Sequence, residues 1–554
     1  MNSGLFLAHY EKVADAPDAV SRLRRFVLDL AVRGKLAEQD RADEPASELL
    51  RCVGKEKSRL GINQAISPLE ETEIPFELPD GWSWTRIGEL CSKTGSGSTP
   101  RGGKEVYKDH GVPFLRSQNI YDDGLRLSDV VYIDTETHGR MRGTKVLPGD
   151  LLLNITGGSI GRCCRVPNEF AEANVSQHVA IIRCAAKGAE AFLHRLVQSP
   201  YFQVFVLNEQ TGAGRGGLPK NRMDKIPVAL PPLAEQRRIV VKVDELMALC
   251  DELEAARAKR EATRDRLTTA SLARLTAPDV DAETFRTHAR FTLDALPALT
   301  ARKEPLEQLR RSIRFLAVQG KLSAGSPKFD RSSDLPSIES YTDRLTMSLP
   351  RHWRWARVDE VAESRLGKML DKAKNRGEPF PYLRNTNVHW FDIRTEDIKT
   401  IRLERRELEE YRLLAGDVLI CEGGHGIGRA AVWSGSHDNM VFQKALHRVR
   451  PGGDLDSHFF ALCCFVYFQA GVMQTYFTGV GIPHFTGRAL ARLVFPLPPI
   501  AEQRRIVSTV DELVALCDQL EGSLASADTA RQRLLETILH EAIEPAAQTL
   551  EAAE

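Results

Sequence analysis

The sequence predicts an α+β protein with an internal pseudo-two-fold repeat, in which two long antiparallel coiled-coil helices separate two α/β globular domains. The first observation is a duplicated segment: PPLAEQRRIVVKVDELMALCDELE, from Pro231 to Glu254, returns as PPIAEQRRIVSTVDELVALCDQLE from Pro498 to Glu521. At a fixed offset of 267 residues, 19 of the 24 positions are identical. The second observation is a set of short apolar runs between the copies, such as DLLLNI and HVAIIR, which predict strands. With 554 residues the chain is too long for one core. The predicted regions are an N-terminal helical region (1–80), a first globular domain (81–230), a helical spacer (231–348), a second globular domain (349–497) and a C-terminal helix (498–554).

Each duplicated segment predicts a long amphipathic helix. A Pro-Pro pair opens it, since proline is tolerated in a first helical turn, and Glu235 in that turn suits the helix dipole. The helices are expected to run to about Leu275 and Ile543, each with the other copy as its antiparallel partner. Apolar residues at alternating spacings of four and three form a coiled-coil seam, in which the two cysteines are packed residues rather than metal ligands or nucleophiles. The seam positions are Ile239, Val243, Leu246, Cys250 and Leu253 in the first copy, and Ile506, Val510, Leu513, Cys517 and Leu520 in the second.

The repeat extends well beyond the long helices. Segments of the first half return in the same order in the second half: RLRRFVLDLAVRGKL as QLRRSIRFLAVQGKL, GWSW as HWRW, PFLRSQNI as PYLRNTNV, GDLLLNITGGSIGR as GDVLICEGGHGIGR, and TGAGRGGLP as TGVGIPHFT. The framing segments are much alike, while the interiors of the globular blocks share only scattered positions. This pattern favours a common scaffold that carries two recognition surfaces of different specificity.

Composition narrows the class of protein. The N-terminus has no signal-peptide pattern and no window approaches a membrane span. The ten cysteines are scattered without CxxC pairs, which argues against a zinc site or a disulfide framework and for a reducing cytoplasm. Net charge is zero, but residues 81–230 carry 19 basic and 14 acidic side chains, and residues 351–497 carry 21 and 17. Two mildly basic blocks indicate either DNA-facing modules or chance scatter of a few charges.

No catalytic motif is complete. The glycine-rich stretches TGSGSTPRGG and TGGSIG lack the GxxxxGK[ST] pattern of a nucleotide-binding loop. FTGVG resembles the FxGxG of methyltransferases, but an NPPY or DPPY tetrapeptide is missing. In CEGGHG, Cys421, Glu422 and His425 are possible metal ligands, yet the aligned NITGGS offers none, which favours a loop. We therefore predict no metal site and no catalytic residue.

The order GWxW, [FY]LRxxN, GDxLxxxxGxxIGR, TGxG and PPxAEQRRIV…DEL resembles the specificity subunit of Type I restriction–modification systems over nearly the whole chain. That resemblance implies that the two globular blocks are target-recognition domains and that the helices after Pro232 and Pro499 dock methyltransferase subunits. It implies a non-catalytic cytoplasmic protein with no cofactor of its own. The implied partners are double-stranded DNA, two methyltransferase subunits and restriction/translocase subunits; S-adenosylmethionine, ATP and Mg²⁺ would belong to the partner subunits. Residues 38–77 depart from the repeat, because no close counterpart follows Lys321.

Within the recognition domains, side chains suited to base edges or phosphates are the DNA-binding candidates. Those shared by both blocks, Arg116 with Arg384 and Asn119 with Asn387, are expected to serve the common fold or phosphates, and sequence choice is expected where the blocks differ. The candidates are Lys93, Ser98, Arg116, Gln118, Asn119, Gln177, Arg215 and Lys220 in the first block, and Lys368, Arg384, Asn385, Asn387, Gln443 and His484 in the second.

Two other classes of function stay open at this point. One is a fused methyltransferase–specificity chain, which would need a complete cofactor fold and an active-site tetrapeptide. The other is a repeat scaffold that binds other proteins without contacting DNA, against which the mildly basic blocks and the family pattern both argue.

Overall fold

A computed structural model describes residues 15–62, 66–208, 217–277, 280–322, 329–330, 349–371, 375–424, 426–479 and 481–543. The chain divides into two compact units: unit 1 comprises residues 1–258 with 528–554, and unit 2 comprises residues 259–527. Each unit therefore contains the beginning of one long helix and the end of the other. In the described ranges, no helix combines the length and apolarity that crossing a bilayer needs.

Unit 1 begins with two helices and continues through the first globular domain into the first long helix. The last part of the second long helix, from residue 528, also belongs to it. The helices are α1 (Ala19–Val32), α2 (Ala46–Arg59), α3 (Ile87–Leu90), α4 (Thr135–Arg140), α5 (Glu190–Gln198), α6 (Pro200–Asn208), α7 (Lys220–Met223) and the 44-residue α8 (Leu233–Thr276), which passes into unit 2 after residue 258. The strands are β1 (Ser83–Arg86), β2 (Cys91–Ser96), β3 (Val112–Leu115), β4 (Ile120–Tyr121), β5 (Gly124–Leu125), β6 (Val131–Ile133), β7 (Lys145–Val146), β8 (Leu151–Asn154), β9 (Cys163–Arg165), β10 (Ala173–Val175), β11 (Val179–Cys184) and β12 (Pro227–Leu230).

The first globular domain is built on two four-stranded sheets. One has the order β2-β11-β8-β9 and is antiparallel throughout. The other has the order β6-β3-β10-β7, in which only the β3–β10 pair is parallel. Strand β8 is buried at every position because its two faces contribute to two different apolar clusters. A two-stranded ribbon of β1 and β12 closes the domain beside the start of α8.

Unit 2 repeats this architecture. Its helices are α9 (Ala282–Asp294), α10 (Leu296–Leu299), α11 (Glu304–Val318), α12 (Val358–Val361), α13 (Arg405–Tyr411), α14 (Ser457–Gln469), α15 (Gly487–Ala491) and the 44-residue α16 (Ile500–Ile543), which passes into unit 1 after residue 527. The strands are β13 (Phe329–Asp330), β14 (Leu349–Pro350), β15 (Arg354–Arg357), β16 (Ala362–Leu366), β17 (Glu378–Leu383), β18 (Val388–His389), β19 (Asp392–Ile393), β20 (Lys399–Leu403), β21 (Val418–Cys421), β22 (Ala430–Val432), β23 (Val441–Phe442), β24 (Leu446–Pro451) and β25 (Val494–Leu497).

Most sheets of unit 2 match those of unit 1. Among the described residues, the second sheet has three strands, with none in the place of β7, and the β13–β14 pair has no counterpart in unit 1. The order β16-β24-β21-β22 reproduces β2-β11-β8-β9, and β20-β17-β23 reproduces β6-β3-β10 with the same parallel pair. The ribbon of β15 and β25 reproduces that of β1 and β12. The predicted α+β class, the internal repeat and the ends of the two long helices are confirmed.

Each repeated short helix contacts the first half of a long helix through the same cluster of ion pairs. In unit 1, a guanidinium nitrogen of Arg24 on α1 lies 2.7 Å from Asp251 and 2.8 Å from Glu254 on α8. In unit 2, Arg310 on α11 makes the equivalent contacts with Asp518 and Glu521 on α16, at 2.6 and 2.7 Å. The carboxylates are 267 residues apart in both pairs, so the repeated sequence produces the same helix packing twice.

A second duplicated contact gives the GWSW and HWRW segments a structural role, because a tryptophan of each segment donates a hydrogen bond to a long helix. The indole N–H of Trp82 donates to Glu235 at 2.9 Å, and that of Trp353 donates to Glu502 at 3.1 Å. Both indoles are buried and both acceptors lie in the first turn of a long helix. The repeated pattern therefore fixes where each long helix leaves its globular domain.

The glycine that ends each short helix is required by this same junction. Gly34 has a φ of +69°, and a Cβ there would lie 2.5 Å from the ring of Pro79 and 3.2 Å from the indole of Trp82. Gly320, with a φ of +73°, meets Pro350 and Trp353 at 2.6 and 3.2 Å. Only glycine combines a left-handed backbone with this close approach.

The coiled-coil seam is buried over its first part. Ile239, Val243 and Cys250 are 0–5% exposed, and Ile506, Val510 and Cys517 are 1–5% exposed. Ile239 and Val243 pack in the core of unit 1 that includes α1. The second group packs in the core of unit 2 that includes α11. Leu246 and Leu513 are partly buried, while Leu253 and Leu520 are each 38% exposed. Burial raises the pKa of both seam cysteines, as expected for packed thiols. Pairing of the two long helices with each other stays a prediction.

Residues 38–77, which have no counterpart in the second half, brace the first recognition domain. Val53 on α2 packs against Ala186 and Ala189, and the ammonium of Lys57 donates to the carbonyl of Gly88 at 2.8 Å. Farther along the segment, backbone carbonyls and a carboxylate surround a buried guanidinium: Arg86, 3% exposed, donates to Ser67, Pro68, Glu73 and Lys225. The segment is thus an integral part of unit 1.

A partly buried histidine makes the stability of unit 1 sensitive to acid. Burial lowers the pKa of His194 on α5 to about 4, and its Nε2 lies 3.1 Å from the carbonyl oxygen of Cys163. The unfolded chain, with an ordinary histidine pKa near 6.5, takes up a proton before the folded chain does. Stability is therefore intact above about pH 6.5 and falls as the pH decreases toward 4, by roughly 3 kcal/mol at most.

Urea unfolding between about pH 7.5 and about pH 4, with hydrogen exchange of α5 peptides, measures this effect. We expect the His194→Gln variant to lose much of the pH dependence in these peptides. An unchanged profile in the variant would contradict the assignment to His194.

Candidate DNA interface

In unit 1, three loops meet at one end of the recognition domain, which we call loop end 1. It is formed by the loop after β8 with Thr156, the turn between β10 and β11 with Gln177 and His178, and Gly217 before α7. Thr156 forms a backbone bridge with Gly217, and its hydroxyl lies 2.6 Å from Nδ1 of His178. Nε2 of Gln177 lies 3.1 Å from Nε2 of His178. Exposed polar side chains from distant parts of the sequence are therefore gathered at one place.

Two further predicted residues lie beside loop end 1. The backbone N–H of Ser98 donates to the carbonyl of Val175 at 3.1 Å, so the end of β2 lies against the β10–β11 turn. The amide of Asn154 donates to the carbonyl of Ser117 at 2.9 Å, which places the turn containing Gln118 next to the loop after β8. The side chains of Ser98 and Gln118 are exposed. The structure thus brings together Ser98, Gln118 and Gln177.

Unit 2 has an equivalent loop end 2 with different side chains. Lys368 bridges Gln443, and Gly423 bridges His484, at positions equivalent to Ser98–Ser176 and Thr156–Gly217. Nδ1 of His484 lies 3.1 Å from Oε1 of Glu422. The amide of Asn385 reaches the carbonyl of Gly423 at 3.4 Å. The predicted residues of this end, Lys368, Asn385, Gln443 and His484, are therefore also neighbours.

The candidates shared by the two domains have framework roles. Oδ1 of Asn119 accepts from the N–H of Arg116 at 2.9 Å and its Nδ2 donates to the carbonyl of Arg126 at 2.9 Å. Asn387 makes the same two contacts with Arg384 and Arg394. Asn119 and Asn387 are 1% and 4% exposed, and these hydrogen bonds make both amides part of the loop framework.

The arginines of the shared motif are tied to the same loops. The guanidinium of Arg116 donates to the carbonyl of Asp129 at 3.1 Å, and that of Arg384 donates to the carbonyl of Asp397 at 3.0 Å and to its carboxylate. These contacts agree with the expectation that positions common to both domains serve the common fold.

The predicted lysines are engaged within their own units. Lys93 donates to the carbonyl of Gly143, and burial lowers its pKa. It pairs with Arg183 at the far end of β2, five residues or roughly 16 Å from Ser98, and so lies away from loop end 1. Lys220 pairs with Asp224, and Lys368 with Glu407. Arg215 lies outside the described residues.

Several residues of the two ends were missed by sequence reasoning. Thr156 and His178 adjoin a predicted strand and a glycine-rich loop, and were not singled out. Glu422 was considered only for metal binding, and Lys444 was passed over. A position-by-position comparison at the offset of 267 pairs Gln177 with Lys444. That comparison could have identified Lys444 from the sequence.

The metal interpretation of CEGGHG gains no support from the described residues of that loop. Cys421 is buried in β21, and burial raises the pKa of its thiol to about 12. A thiol in that environment is a poor ligand, because metals bind the thiolate. Across the described ranges, no group of three or more His, Cys, Asp or Glu side chains is arranged to hold a metal ion.

Comparison with known proteins identifies the repeated domain. The family model for the Type I restriction modification DNA specificity domain matches residues 79–264 and 350–526. The specificity subunit of the Type I restriction enzyme EcoAI from Escherichia coli is 25% identical over 95% of this chain and 94% of its own length. That of EcoEI, also from Escherichia coli, is 24% identical over the same shares. The crystal structure of the HsdS subunit from Thermoanaerobacter tengcongensis is 20% identical, with a TM-score of 0.41 over 85% of this chain and 99% of that one.

Two DNA specificity domains in tandem define the class: this is a protein of DNA-sequence recognition built from a duplicated module. The chain belongs to the family of Type I restriction–modification specificity subunits.

Proposed function

We propose that each recognition domain reads one half of a two-part, asymmetric DNA sequence, with loop ends 1 and 2 as the reading surfaces. The observation that carries this proposal is one framework built twice with different exposed side chains. Gln177 in unit 1 is replaced by Lys444 in unit 2, and Gly217 is replaced by His484. Because a side chain that contacts a base edge determines sequence choice, two such ends would select two different half-sites.

The long helices are the proposed docking surface for two methyltransferase subunits. Leu249 and Leu253 on α8 are 53% and 38% exposed, and Leu516 and Leu520 on α16 are 54% and 38% exposed. These leucines are one helical turn apart and occupy identical places in the two copies. An apolar pair that stays exposed in both copies supports one partner subunit for each copy.

The chain itself would perform no chemistry. Adenine methylation and cleavage, with S-adenosylmethionine, ATP and Mg²⁺, would belong to methyltransferase and restriction/translocase partners in the cytoplasm. A fused methyltransferase would instead label with S-adenosylmethionine when purified alone. Crosslinking of labelled cofactor to the isolated chain separates these two possibilities.

Selection from random duplex DNA tests the proposal directly. The chain, co-purified with its methyltransferase partner, is mixed with random duplexes, and the retained DNA is sequenced. We expect a two-part motif with a constant gap. Exchange of residues 351–497 for the corresponding block of another family member is expected to change only one half of the motif.

Retention of DNA without any motif by a properly assembled complex would refute sequence-specific recognition and favour the scaffold hypothesis. A change in both half-sites after the exchange would contradict the assignment of one half-site to each domain.

A further inference from the structure

We propose that Gln177 selects an adenine in the half-site of the first recognition domain, and that His178 is the positioning residue that holds the Gln177 carboxamide for this contact. The inference rests on the proposed function, since it names the residue and the base within that reading surface.

The turn that carries both residues is fixed to the framework on each side. The N–H of Ile155 donates to the carbonyl of His178 at 3.0 Å, and the N–H of Gly97 donates to that of Val179 at 2.9 Å. The N–H of Val179 also donates to the carbonyl of Ser176 at 3.0 Å, which closes the turn. The backbone beneath Gln177 is therefore held in place before any ligand binds.

The hydrogen bonds of the ring specify how the carboxamide faces. Nε2 of Gln177 is a donor only, so Nε2 of His178 accepts at 3.1 Å. In a neutral ring the proton then resides on Nδ1, which donates to the hydroxyl of Thr156 at 2.6 Å. One N–H of Gln177 is consumed by the ring, and the other N–H and Oε1 remain available.

A free N–H beside a free carbonyl oxygen is the complement of adenine in the major groove. Adenine offers N7 as an acceptor and its N6 amino group as a donor, and glutamine contacts both at once. Guanine offers two acceptors at the same edge and would leave Oε1 facing another oxygen. Preorganisation by His178 therefore favours adenine without ordering a free side chain on binding.

Comparison with the second domain shows that the Thr156–His178–Gln177 hydrogen bonds are not part of the common framework. At the equivalent positions unit 2 has Lys444 and Ala445, and Gly423 replaces Thr156. None of the three can reproduce the Thr156–His178–Gln177 chain of hydrogen bonds. The fold forms without these side chains in unit 2. A role in DNA recognition, and not in folding, therefore accounts for them in unit 1.

The test uses the complete chain in complex with its methyltransferase partner and sequencing of DNA retained from random duplexes. For Gln177→Ala we expect the preference for adenine at one position of one half-site to fall by roughly 5- to 150-fold, with the other half-site unchanged. For His178→Ala we expect a smaller loss at that same position. Lys444→Ala is the matched control and should affect only the other half-site.

The base preferences at the two half-sites distinguish failure of the proposed function from failure of this inference. If wild type retains no motif, the proposed function fails. If wild type gives a two-part motif and Gln177→Ala keeps every base preference, the inference is overturned while the proposed function stands. A merely structural role for His178 predicts equal weakening at all positions of the half-site, and that outcome would also overturn its positioning role.

Discussion

Replacement of Arg183 by methionine is expected to lower the free energy of unfolding of unit 1 by about 3–5 kcal/mol, the usual cost of leaving a buried charge without its partner. Asp150 is 1% exposed and receives two hydrogen bonds from the guanidinium of Arg183, both at 2.7 Å. The N–H of Leu147 supplies a third, also at 2.7 Å. Methionine keeps most of the apolar stem of the side chain but removes both donors, so the carboxylate remains buried with a single partner.

Two control variants separate charge from packing. Adding Asp150→Asn to Arg183→Met should recover part of the loss, because a neutral amide costs less to bury than a carboxylate. Arg59→Met breaks an exposed pair with Glu56 and is expected to change stability little, because water screens the charges. Urea unfolding followed by hydrogen exchange of β8 and β11 peptides measures each change. Equal losses in Arg183→Met and Arg59→Met would contradict the argument.

The same construction recurs in unit 2, where it offers an independent replicate. Asp417 is 1% exposed and accepts from Arg450 at 2.7 and 2.8 Å and from the N–H of Leu414 at 2.7 Å. In both units the aspartate directly precedes a central strand, β8 or β21, and the arginine lies in the neighbouring strand, β11 or β24. The ion pair therefore links the two strands. Weakening it should loosen the strands that carry the loop ends.

The repeat made most of the fold predictable. Two copies of a pattern constrain each other, so the strand runs, the proline-opened helices and the seam could be assigned with the same bounds in each half. The shared Arg-x-x-Asn motif was expected to serve the common fold or phosphates, because a residue common to both domains cannot account for a difference between them. The burial of Asn119 and Asn387 and their identical hydrogen bonds agree with a role in the common fold.

What could not be predicted depends on contacts between residues distant in sequence. The segment 38–77 had no second copy, and nothing local in its sequence indicates that Val53 packs on Ala186 or that Lys57 reaches Gly88. The division of each long helix between two compact units could not be predicted either, because periodicity shows an apolar stripe but not which element covers it. The pairing of Gln177 with His178 and Thr156 required the loop after β8 to meet the β10–β11 turn.

The second large expected effect is the loss of partner binding when the exposed leucines of the long helices are replaced by aspartate. Leu249→Asp is expected to abolish binding of one methyltransferase subunit, Leu516→Asp that of the other, and the double variant that of both. A charge placed at the centre of an apolar contact and left unpaired costs about 2–5 kcal/mol, or roughly thirty-fold and more in affinity. Native mass spectrometry of the co-purified complex counts the partners on each chain.

The two copies control for each other, since each single variant should keep one partner. Val204→Asp on α6 is a further control: Val204 is 53% exposed, like Leu249, but lies in the recognition domain and should leave both partners bound. The leucines are half exposed, so the variants should stay folded, which circular dichroism checks. If the double variant still carries two partners, docking takes place on other surfaces of the repeated frame. If it carries none and still retains a two-part motif from random DNA, recognition and docking are separate properties of the chain.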